Sequence, residues 1–166
     1  MSPVNRRLAT SGESEVGDTQ RLLRHQLATV AYRVQRAVRD APSDFGDFGA
    51  GSGVRTPHQL VNHMANLIWH TAQALRGENA VLVSELADFA EEIGRFHELL
   101  GELSILLAES SFDRGLDERL LQGPLSDAMT HVGQLALLRR LAGAPIAAED
   151  FFSAPITRDN VTARQP

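Results

Sequence analysis

Leu82, Leu86, Phe89, Ile93, Phe96, Leu100, Leu103 and Leu107 recur at alternating spacings of four and three. A period of 3.5 held over that length keeps one apolar stripe on one side of a helix. It predicts left-handed, near-aligned packing against other helices. The rest of the chain must supply those partners.

Three further segments do. From Asp18 onward, Leu23, Leu27, Val30, Val34 and Ala37 share one helical face. The run APSDFGDFGAGSG, with Pro42 and four glycines, closes that helix. Thr56-Pro57-His58-Gln59 fits a capping box with proline at the first helical position. Leu60, Met64, Leu67, Thr71 and Ala74 then carry a second seam to about Arg76, and Gly77 ends it. DRGLDERLLQG is a connector with room for one helical turn. Gly123-Pro124 predicts the start of a fourth helix that runs to about Ala142 and stops at Gly143-Ala144-Pro145. With no strand pattern between them, these segments predict an all-α four-helix bundle over residues 18–156. Residues 1–17, rich in Ser, Gly, Glu and Thr, read as a flexible N-terminal tail, and residues 157–166 as a C-terminal tail. The chain is irregular after Pro145, where Phe151, Phe152 and Ile156 are available to pack back on the bundle.

Composition narrows the function classes. A chain of 166 residues, 43% hydrophobic, fits one domain with one core. A formal net charge of -5 argues against non-specific binding to nucleic acid, which needs a basic surface to displace counterions. The absence of cysteine removes disulfides, thiolate metal ligands and a cysteine nucleophile. The N-terminus shows no apolar core of a signal peptide, and no apolar run is long enough to span a bilayer, so the expected location is the cytoplasm with no membrane partner.

The fourth helix carries the chemistry. Asp127, His131, Gln134 and Leu138 form one stripe, while Leu125, Met129, Val132, Leu135, Ala136 and Leu141 occupy the other faces. A helix apolar nearly all round is expected to be buried, so its polar stripe predicts a polar pocket at one end of the bundle. A buried carboxylate needs a partner, and a divalent metal shared by the i, i+4 pair would supply one. A hydrogen-bonded His–Asp couple, with Asp127 favoured by the helix dipole, satisfies the same pattern. His63, on the flank of the second helix, is the best third ligand. His70, seven residues on, is a candidate for substrate or proton handling. His25, His58 and His97 stand alone and read as packing or surface side chains. Gly133 inside the helix implies either a close helix approach or room for a bound group.

RTPHQLVNHM followed by GPLSDAMTHVGQLALLRRLAGAPI resembles the DinB/YfiT-like superfamily of metal-dependent four-helix bundles, over about residues 18–156. The resemblance implies a divalent metal, commonly zinc or nickel, held by His63, Asp127 and His131. The usual fourth-helix pair is two histidines. A carboxylate in the place of Asp127 is similar to the mycothiol-dependent maleylpyruvate isomerases of that superfamily. The resemblance further implies a cytoplasmic transferase or isomerase acting on a small molecule, with a low-molecular-weight thiol activated at the metal. His70 would then shuttle a proton, and Arg55 or the Phe45/Phe48 loop would cover the mouth of the site. A hydrolase using bound water and a non-catalytic ligand-binding bundle are the alternatives. A long heptad seam serves an intramolecular bundle and a homodimer equally well.

Overall fold

The structure is a computed structural model that describes residues 9–79, 81, 83–84, 88–109 and 115–166, with side chains from Gly17 onward. Among the described residues all regular structure is helical: α1 (Ala9–Val38), α2 (Pro57–Arg76), α3 (Phe89–Glu109), α4 (Leu116–Leu120) and α5 (Ser126–Leu141). α4 and α5 are joined end to end through a π turn, Leu121–Leu125, so that they act as one bundle helix. The chain is therefore an all-α bundle.

Each seam finds its place in one core. Leu23, Leu27, Val30, Val34 and Ala37 of α1 are all buried, as are Phe96, Leu100, Leu103 and Leu107 of α3. Helical backbone reaches back to Ala9, ahead of the Asp18 start that the apolar pattern marks. Leu82 and Leu86, the expected beginning of the third seam, lie outside the described residues, and α3 begins at Phe89. The α2 face is wider than its 3.5-residue seam: Val61, Ala65, Ile68 and Ala72 are buried, while Leu67 and Ala74 sit at its edge.

The capping box of α2 is complete. Thr56 Oγ1 accepts from the Gln59 amide at 3.2 Å, and Gln59 Oε1 accepts from the Thr56 amide at 3.1 Å. Gly77 ends the helix with φ 72°, a left-handed conformation that costs glycine nothing.

The start of the fourth helix differs from the sequence expectation. Gly123-Pro124 does not open it; the pair sits inside the π turn, and the helix begins upstream at Leu116. Proline lacks an amide donor, and its ring crowds the carbonyl four residues back. A wider turn relieves that crowding, and Ser126 Oγ donates to the Leu121 carbonyl at 2.6 Å, five residues back.

The chain after α5 is tied along α1 by side chains, without regular structure. Arg24 pairs with Asp159 at 2.8 Å and Arg36 with Glu149 at 2.7 Å, Tyr32 also binds Glu149, and Arg33 stacks on Phe151. Arg39 donates to the Gln165 carbonyl at 2.5 Å and to that of Pro166 at 3.1 Å. Ile156 packs against the core, and Val161 is buried in it. Phe152, expected to pack back as well, is 99% exposed, because the turn at Asp150–Ser153 projects it outward.

Candidate metal centre

α2 and α5 pack against each other and together carry the site. One ligand atom each from His63, Asp127 and His131 lies within 4.8 Å of the other two. His63 Nε2 is 3.9 Å from Asp127 Oδ2, and His131 Nε2 is 3.3 Å from Asp127 Oδ1. The His63 ring meets the His131 ring edge-on, with centroids 4.7 Å apart. Helical spacing explains the convergence: Asp127 and His131 are one turn apart on α5, and His63 comes from the opposing face of α2.

The protonation of His131 decides what this cluster can do. Its Nδ1 lies 3.1 Å from Gln134 Oε1, an acceptor, and in a neutral ring this bond favours the tautomer with the proton on Nδ1 and the lone pair on Nε2. That Nε2 is buried and makes no hydrogen bond, although Asp127 Oδ1 stands 3.3 Å away. The two atoms thus stand close without a hydrogen bond between them, where the histidine side chain is 9% exposed. The plain hydrogen-bonded couple is not made. A cation shared by them would satisfy the unpartnered nitrogen, and the three residues can hold a metal ion.

His63 is held below the usual histidine range, chiefly by burial, then by the positive charge of Arg55 and by His131; Asp127 acts in the opposite sense. A neutral imidazole is the form that ligates. Asp127, whose side chain is 46% exposed, leaves the cluster open to solvent on one side.

The other expected residues fall in different places. His70 is exposed, two turns along α2 from His63 and so roughly 10 Å away along the axis. It lines a separate cleft of about 530 Å³, among Leu67, Leu75, Leu116, Leu120 and Pro124. Arg55 lines a second cleft, about 580 Å³, together with Gln134. Phe45 does not cover any mouth: it is 1% exposed and packs edge-on against Phe89, with Phe48 also packed on the core. Gly133 has open space where a Cβ would be, so close helix approach does not account for it. Leu137 and Leu141 are 55% and 56% exposed, so α5 is not buried all round; that flank forms a wall of the Arg55 cleft.

Among the lone histidines, His97 is buried between Gln35 (2.9 Å) and the Val161 carbonyl (2.8 Å), fastening the C-terminal segment, while His25 is exposed. His58 is buried beside Phe89 and 3.9 Å from Glu92. Glu92 belongs to a polar cluster that the sequence reading missed. It is fully buried, accepts from Arg95 at 2.7 Å and from Asn62 at 3.2 Å, and Asn66 joins Arg95 to the backbone of Val83. The available signal was the i, i+3 Glu92–Arg95 pair on the flank of a strong seam, opposite two asparagines four apart.

No family model matches the chain, and no curated protein or solved structure matches it either.

Proposed function

We propose that the chain is a DinB/YfiT-like enzyme that binds one divalent transition metal, zinc or nickel, through His63, Asp127 and His131. The observation that carries this reading is His131 Nε2, buried without a hydrogen bond and 3.3 Å from Asp127 Oδ1, in a trio whose ligand atoms lie within 4.8 Å of one another. A bound ion of this kind supplies a Lewis-acid position at which a low-molecular-weight thiol is held as thiolate near neutral pH. Three protein ligands leave such a position free. The remaining roles belong to the chain. Gln134 favours the His131 tautomer with its lone pair on Nε2, and Asp127 offers a carboxylate of compensating charge. A cleft beside the trio receives a small molecule. The reading is a cytoplasmic transferase or isomerase; among the described residues no helix is long and apolar enough to cross a membrane.

The solvent-open side at Asp127 favours a second reading, hydrolysis by a metal-bound water. Turnover that requires added thiol separates the two. The first experiment is elemental analysis of tag-free protein beside His131→Ala and Asp127→Ala. Near-stoichiometric metal in the parent, lost in both variants, supports the reading. No metal after reconstitution with zinc and nickel refutes it.

A further inference from the structure

The trio lies between two separate clefts on the α2–α5 side of the bundle. Leu60, His63 and Leu67 follow one another on one face of α2; opposite them run Gln134 and Leu138, then His131 and Asp127, then Pro124 and Leu120. The Arg55 cleft therefore lies at one end, the ligand cluster in the middle and the His70 cleft at the other end. The two ends differ in chemistry. The His70 end is walled mainly by aliphatic side chains. The Arg55 end combines an aliphatic wall, Val54, Leu60, Leu137 and Leu141, with two donors and no carboxylate. Those donors are the Arg55 guanidinium, which has no hydrogen bond or ion pair among the described residues, and the amide nitrogen of Gln134, whose oxygen alone is engaged. In a chain of net charge -5, a concave site with a spare guanidinium is set apart for an anion.

We propose that the Arg55 cleft is a seat for a carboxylate with an apolar body: the carboxylate on Arg55, the body along Val54, Leu137 and Leu141, and the far end directed at the trio. The proposal deepens the metal reading and rests on it only for what that far end meets. The volume, about 580 Å³, accommodates a small organic acid and leaves the His70 cleft for another group. It also gives the two leucines on the outer flank of α5 a reason to be exposed.

The test is an NMR titration of the full chain with hexanoate, with hexanamide as the uncharged match, in the absence and presence of zinc. Hexanoate is expected to saturate in the metal-free chain with shifts on Val54, Gln134 and Leu141, and hexanamide to bind about tenfold more weakly or worse. Arg55→Gln, at an exposed position, should lose a similar factor and keep its fold, whereas His63→Ala should retain hexanoate and lose zinc. Equal binding by Arg55→Gln, or no saturation at all, overturns the seat. Binding only with zinc and indifferent to Arg55→Gln would place the carboxylate on the metal, overturning the seat while the metal reading stands. Hexanoate bound through Arg55 in a chain that never takes up zinc would uphold the seat and remove the metal reading.

Discussion

Gln134→Leu should weaken zinc binding without weakening the fold. The wild-type amide oxygen sits 3.1 Å from His131 Nδ1 and is the group that favours an Nε2 free of a proton. A neutral hydrogen bond of this kind contributes about 0.5–1.5 kcal/mol, a factor of roughly two to ten in affinity. Loss of a group that orients a metal-bound histidine costs about 10–100-fold when nothing else holds the ring. Here two features pull toward the lower figure. The His131 ring is already wedged edge-on against His63, and Gln134 is exposed, so water can take over as the Nδ1 acceptor. The expected loss is therefore about tenfold. Competition against a chromogenic zinc chelator measures it, with His131→Ala as the null. Thermal unfolding of the metal-free variant should stay within about 0.5 kcal/mol of the parent, as at most exposed positions. An unchanged zinc affinity would refute the tautomer assignment. So would a loss as complete as that of His131→Ala, since a single exposed hydrogen bond cannot be worth the whole site.

Three further outcomes follow from the packing. Glu92→Gln strands Arg95, whose side chain is 16% exposed, and should cost about 2 kcal/mol in urea unfolding with little effect on zinc binding. His97, kept below its ordinary pKa by burial, with the Val161 carbonyl acting in the opposite sense, binds a proton more readily in the unfolded chain. Stability it contributes is thus complete above about pH 6.5 and declines as pH falls below that; His97→Gln should flatten this part of a melting-temperature profile. Gly46→Ala would put a Cβ 2.9 Å from the Phe89 side chain and should destabilise by about 2 kcal/mol, seen as a lower urea midpoint.

What could be read in advance were the features that repeat or sit close in sequence. The seams of α1 and α3 show because burial follows the helical period, and the α2 start shows because Thr56, Pro57 and Gln59 complete a local motif. Asp127 and His131 were visible for the same reason, being neighbours on one helix face. Non-periodic contacts left no such mark. The strap of residues after Pro145 is held by single partners, His97 for Val161 and Arg39 for the Gln165 carbonyl, and nothing in its composition announces them. Glu92 is buried by Arg95 and two asparagines of another helix, a pairing that only the tertiary fold brings about. The exposed Leu141 misled because an apolar residue looks the same whether it meets a core or a cleft. Gly123-Pro124 misled because a proline that starts helices was accommodated within one.

That accommodation ties the site to chain length rather than to residue type. The buried apolar positions of this helix run Leu120, Leu125, Ala128, Val132, Leu135, Leu138, with a step of five across the π turn where an α-helix would step three or four. In an unbroken α-helix, the residues seven and eleven beyond Leu120 would lie on its own buried side, and those are Asp127 and His131. The additional residue in the turn rotates both by about 100°, to the side that faces His63, where His131 is still buried and Asp127 reaches solvent. Deleting Gln122 alone, with every ligand retained, would turn the carboxylate and the imidazole toward the apolar core and bring neighbouring side chains opposite His63. For this chain, an indel in that turn is a more complete loss of the site than substitution of any one of its three ligands.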